Sequence, residues 1–252
     1  MTALVGIICA DGIVVGSDSS ATFTQGQRVP TIEQKVRKVE IISGQVILAG
    51  TGSIGLGQRF SELVRDYWQD GKGRGKSHIE VAKDLSRAGI EDFGSTHVSK
   101  GLYGALLAFP SAKGGPKLCE FALADFQPEF KDTKMWFVSM GSGQQITDPF
   151  LGFMRRVFWG DSPPSLVDGI FAVTWTLNHV IELNPGGING PPQIAVLDAK
   201  RGTATLLGDA EIQEHINSAQ GAEAHLKEYS KIIAGKCAPS IPPTPAAPNS
   251  KS

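Results

Sequence analysis

Thr2-Ala3-Leu4-Val5-Gly6-Ile7-Ile8-Cys9-Ala10-Asp11-Gly12-Ile13-Val14-Val15-Gly16-Ser17-Asp18 decides the fold. Two β-branched, apolar runs flank Ala10-Asp11-Gly12, a hairpin signal of the Asp-Gly kind, so the chain opens as a strand pair. A three-residue loop with Gly12 in the left-handed conformation pairs Cys9 with Ile13, Thr2 with Ser20 and Leu4 with Asp18. Thr2 and Asp18 then share a face, and a two-residue loop reverses that parity. Asp18 in an apolar strand is a costly charge unless paired, and Lys38 is the candidate partner. A purely structural ion pair is the alternative to a catalytic one.

Downstream, a polar loop leads to a second hairpin, residues 36–42 and 45–49 around Ser43-Gly44. Gly50-Thr51-Gly52-Ser53 then enters a helix with Leu56, Phe60, Leu63, Val64 and Tyr67 on one stripe. Ser77-His78-Ile79-Glu80 has capping-box spacing and opens a second helix carrying Ile79, Ala82, Leu85 and Phe93. Strands are expected over 102–109, 117–123 and 135–139, the last ending in Gly141-Ser142-Gly143. Thr147-Asp148-Pro149 and Ser162-Pro163-Pro164 read as caps before first-turn prolines, for helices running to Trp159 and Leu183. Strands over 193–197 and 203–207 and a helix over 210–234 follow. Antiparallel hairpins separated by paired helices predict an α+β domain of two facing sheets covered by helices, a four-layer αββα sandwich over residues 1–235. Residues 236–252 hold five of the fifteen prolines and read as a disordered tail.

Composition narrows function. In 252 residues, 24 Lys and Arg face 25 Asp and Glu, so no global charge draws the chain to nucleic acid or anionic membrane. The apolar stretch 3–10 is far shorter than the roughly 20 residues that span a bilayer, and its flanks do not suit a secretory signal. Cys9, Cys119 and Cys237 form no disulfide framework, which fits a reducing, cytoplasmic setting. The five histidines lack metal spacing, and the basic 71–76 segment lacks a Walker pattern, so no metal, nucleotide or other cofactor is indicated.

Thr2 follows an initiator methionine, whose removal leaves a hydroxyl and a free α-amine on one residue. An α-amine titrates near 7.7 to 8.0, close to the working pH of a general base, and N-terminal threonine is a known activated nucleophile. Thr2 to Gly6, Asp11 to Thr22, Lys38 to Ile42 and Leu48 to Gly52 together resemble the catalytic half of a proteasome β-type subunit, an N-terminal-nucleophile hydrolase. The resemblance extends loosely through Gly141-Ser142-Gly143 and Gly186-Gly187 to about Leu207. Within the family it is most similar to the bacterial proteasome homologue type, found in bacteria without a full proteasome.

The resemblance implies roles. Thr2 is the nucleophile. Lys38 tunes it or receives its proton, Asp18 fixes Lys38, and the Gly50 N–H stabilises the oxyanion. Ser142 stands near the terminal amine, and Glu182 takes the place of the family's aspartate there. Pro185 replaces a serine, which removes a hydroxyl. Thr22 and Gly50 mark the edges that take the substrate as an added strand. Ala21, Val36, Leu48 and Gly52 line an uncharged pocket favouring apolar side chains. The loop between Thr22 and Lys38 is longer than is usual in the family, which bears on the cleft or the ring edges. The implied activity is threonine-type peptide hydrolysis inside a homo-oligomeric ring, two rings being stacked, on peptide or unfolded protein. An ATPase feeding the chamber is left open. Two alternatives remain: a structural ring subunit of weak or no activity, and a small-molecule amidase on the same scaffold.

Overall fold

The computed structural model describes residues 1–24, 30–97, 101–111, 114–183 and 186–235. Residues Met1–Ile216 form one compact unit, and a second begins at Asn217. The helix α5 (Asp209–Ile233) starts in the first and continues into the second.

Two five-stranded antiparallel sheets build the first unit. One has the order β10 (Phe137–Met140), β1 (Leu4–Cys9), β2 (Gly12–Ser17), β11 (Gln193–Asp198), β12 (Thr203–Leu206). The other has the order β5 (Val39–Ile42), β6 (Val46–Gly52), β7 (Tyr103–Phe109), β8 (Lys117–Phe121), β9 (Pro128–Phe130). Leu4, Ile13, Val15 and Leu197 of the first sheet pack with Ile47, Leu106, Ala108 and Leu118 of the second in one buried cluster. Such nearly continuous apolar strands make sense only when both faces are covered. On the second sheet's outer face, α1 (Ile54–Gln69) and α2 (His78–Ser95) bring Phe60, Val64, Tyr67 and Leu85 against Leu48, Leu107 and Phe121. On the first sheet's outer face lie α3 (Gln144–Met154) and α4 (Leu166–Leu183). The expected α+β sandwich of helices, sheet, sheet and helices is the fold observed.

Local differences have physical reasons. The first hairpin turns in two residues, Ala10 and Asp11, pairing Cys9 with Gly12 and Leu4 with Ser17. Asp11 is committed elsewhere: its carboxylate accepts the Leu166 N–H at 2.7 Å and its carbonyl accepts the Ala199 N–H. The expected Leu4–Asp18 register is therefore off by one residue. The polar stretch before Lys38 contains a hairpin of its own, β3 (Ser20–Thr24) with β4 (Pro30–Lys35), so β5 begins at Val39 rather than at residue 36. The short β9 carried no clear pattern in sequence.

Ser77 closes its capping box with Glu80 as expected, although Ile79 is exposed. Helix α3 starts at Gln144, with Pro149 inside it, because the Thr147 hydroxyl does not cap. It is engaged with Ser139 Oγ at 2.8 Å and the Gly143 carbonyl at 3.2 Å. A π-helical turn (Arg155–Trp159) extends α3 to the expected end. The cap of α4 is Ser165, whose Oγ accepts the Asp168 N–H, rather than Ser162. Cys9 and Cys119 are free and buried, and burial pushes both thiols well above their ordinary range. Cys237, Pro185 and the proline-rich tail lie outside the described residues, as does part of the loop between Thr22 and Lys38.

Candidate active site

Strand β1 sets Thr2 at the end of the first sheet, 8% exposed. The Thr2 carbonyl accepts the Gly143 N–H at 3.0 Å, and the Thr2 N–H donates to Ser142 Oγ at 3.1 Å. Gly141 makes this possible. Its φ is +92°, and a Cβ there would lie 2.4 Å from the Thr2 carbonyl oxygen, so only glycine fits.

Lys38 approaches Thr2 from the turn before β5. Its Nζ donates to Thr2 Oγ1 at 3.1 Å, to Asp18 Oδ1 and Oδ2 at 2.8 and 2.9 Å, and to the Met1 carbonyl at 3.1 Å. Three ammonium protons serve four acceptors, and loss of Met1 leaves one proton for each of the three remaining. Asp18 is fully buried and well satisfied: Oδ1 also accepts the Ala3 N–H at 2.9 Å, and Oδ2 the Ser20 N–H at 3.1 Å. Burial lowers the Lys38 pKa below its ordinary value, and Asp18 opposes that shift.

The route from Asp18 to Thr2 is not the expected one. The Asp18 N–H donates to the Ala3 carbonyl and its carboxylate accepts the Ala3 N–H, so Asp18 lies opposite Ala3. Strand parity does not join Asp18 to Thr2, and Lys38 bridges them instead. The backbone around Lys38 is pinned by Gln193, a residue without signal in the sequence. Its Oε1 accepts the Lys38 N–H at 2.9 Å, and its Nε2 donates to the Val36 carbonyl at 2.6 Å.

Beside Thr2 opens a cleft of about 1130 Å³ whose lining includes Lys38, Ser142, Gly50 and the expected Ala21, Val36, Leu48 and Gly52. Strand β6 pairs with β5 only as far as Ala49 but with β7 as far as Gly52, so its edge at Gly50–Gly52 has no partner from β5. A Cβ on Gly50 would meet the Tyr103 hydroxyl at 2.5 Å, so packing by itself favours glycine there. Thr22 sits in β3 opposite Glu33.

The four expected residues share the cleft lining with the charged Arg37, Glu40 and Glu120. One expectation needs correction. Glu182 is not on the cleft lining: it is exposed near the end of α4 and accepts from Asn178 Nδ2 at 2.8 Å. An acid four residues on from an amide on a helix finds that amide more readily than a distant amine.

The family model described as Proteasome subunit matches residues 2–153. The chain belongs to the proteasome subunit family. Among solved structures, this proteasome-family chain is similar to Anbu (ancestral beta-subunit) from Yersinia bercovieri, with a TM-score of 0.68 and 14% identity over 96% of this chain and 100% of that one. It is also similar to the Anbu (Gly-1) mutant from Hyphomicrobium sp. strain MC1, with a TM-score of 0.70 and 12% identity over 92% of this chain and 100% of that one. At such identities the likeness is one of fold. None of the curated proteins matches the chain. Among the described residues of this proteasome-family subunit, no group of three His, Cys, Asp or Glu is placed to hold a metal ion, and no helix is long and apolar enough to cross a membrane.

Proposed function

We propose that this subunit is a threonine-type endopeptidase that hydrolyses peptide bonds with Thr2 as nucleophile once Met1 is removed. One observation carries the reading: a single ammonium, Lys38 Nζ, touches both the Thr2 hydroxyl and the buried Asp18 carboxylate. An ion pair serving stability alone has no need of a hydroxyl at the chain's start.

In the proposed reaction the bared Thr2 amine takes the Thr2 hydroxyl proton as Oγ1 attacks the substrate carbonyl carbon. Lys38 stabilises the developing alkoxide, and the Gly50 N–H faces the oxyanion of the tetrahedral intermediate. Collapse breaks the C–N bond, and the Thr2 ammonium returns its proton to the departing amine. An ester remains on Thr2. Water, deprotonated by the same amine, attacks that ester, and the acid leaves with the hydroxyl restored. Ser142 Oγ, beside the present Thr2 nitrogen, orients the amine in this scheme. The substrate lies as an added strand along the open β6 edge. The subunit works as a homo-oligomer of stacked rings enclosing this site, in the cytoplasm.

Glu182, paired with Asn178, favours a second reading: without an acid beside the amine, the ring subunit turns over weakly. Intact mass with and without a β-lactone distinguishes the two. A mass lacking methionine and shifted by one lactone, with Thr2→Ala unlabelled and inert, supports the peptidase. Retained Met1 or an unlabelled Thr2 refutes it.

A further inference from the structure

The β5–β6 register sets Glu40 opposite Leu48, so both side chains stand on one face of the sheet, and both line the cleft. Leu48 is buried, whereas the Glu40 side chain is 37% exposed. Tyr103, 6% exposed, packs its ring under Gly50 and also lines the cleft. Burial first, and the negative charge of Glu40 second, hold its phenol in the protonated form.

The charge of Glu40 is only partly met. Its Oε2 accepts from Ser61 Oγ at 2.7 Å and lies 3.6 Å from Arg65 Nη2, but Arg65 also reaches Glu62 at 3.4 Å. One guanidinium thus answers two carboxylates. Glu120, on the same cleft, repeats the pattern: Lys131 lies 2.8 Å from it and is shared with Glu129. Arg37 is the opposing charge on the lining, and it is exposed. Lys38 is already paired with Asp18.

We propose that this pocket selects lysine or arginine as the residue on the acyl side of the cut bond, with Glu40 receiving its cationic tip. The proposal rests on the peptidase reading and names its substrate class. Ala21, Val36 and Leu48 suit an aliphatic stem, and Glu40 stands beside Leu48 on the same lining. A leucine side chain fills the same walls but covers Glu40 without giving it a partner. A glutamate side chain sets like charges together.

The test compares peptidyl coumarin amides differing only in this residue. Arginine and lysine substrates should show kcat/KM about tenfold above leucine, and glutamate should fall below leucine, as a charge-assisted contact implies. Glu40→Gln keeps an acceptor for Ser61 and should lower the arginine-to-leucine ratio about tenfold. Leucine matching arginine in the wild type, or an unchanged ratio in Glu40→Gln, overturns the proposal. Fluorescence anisotropy on Thr2→Ala, with the corresponding uncleaved peptides, separates pocket from chemistry. An enzyme that turns over nothing sinks the peptidase reading, and Thr2→Ala still reports the pocket. If Thr2→Ala binds arginine peptides no tighter than leucine peptides, the pocket assignment falls even where the wild type cleaves.

Discussion

Lys38 Nζ lies 2.8 Å from Asp18 Oδ1; the Asp18 side chain is fully buried and that of Lys38 is 9% exposed on the cleft wall, so the ammonium holds the buried carboxylate while also reaching Thr2 Oγ1. Removing either partner strands the other. Asp18→Asn leaves a buried ammonium without its counter-charge and should cost about 3–5 kcal/mol. Urea unfolding of the wild type and the variant measures this, and a change below 1 kcal/mol would mean the lysine finds another partner.

Lys38→Met should lower kcat/KM by about 10²–10⁴, the range for removing a group that handles the proton or charge of the transition state. KM should change little, because Lys38 touches the nucleophile rather than the specificity pocket. Steady-state kinetics on any cleaved peptide decides this.

Because burial lowers the Lys38 pKa, any activity that needs the ammonium should fall with rising pH before the ordinary lysine value of 10.5. Stability moves the other way. Between the folded-state pKa and 10.5 the unfolded chain holds a proton that the folded chain has lost, so this group's contribution rises with pH and is flat below that window. The difference in urea midpoint between wild type and Lys38→Met, followed from pH 7 upward, reads the sign.

Gly50→Ala should abolish cleavage and destabilise the fold by about 1–3 kcal/mol, since the new methyl group meets the Tyr103 ring and hydroxyl. A Gly50→Ala/Tyr103→Ala cycle should show a coupling above about 0.5 kcal/mol. Strict additivity would place the strain elsewhere.

Ser77→Ala removes the cap of α2 and should cost about 1 kcal/mol. Cleavage should be unchanged, because Ser77 does not line the cleft. A matching loss of activity would show that α2 is coupled to the site.

Sequence by itself determined most strands and helices and put Thr2, Asp18 and Lys38 forward as candidates, because apolar periodicity, capping boxes and an isolated charge in an apolar strand are local properties of the chain; Gly50 and Ser142 came only through the family resemblance. It also made a resemblance to the proteasome family legible. Tertiary structure alone decided how those residues meet. The turn at Ala10-Asp11 depends on what Asp11 bonds across the fold, and one residue of register moves Asp18 opposite Ala3. Gln193, 155 residues after Lys38, pins the lysine's backbone, and Glu182 pairs with Asn178 one helical turn earlier on α4. Glu40 becomes part of the cleft through its pairing with Leu48. The Asp11 and Gln193 outcomes turn on contacts between distant segments, whose energies are set by packing geometry and carry no periodic trace along the chain.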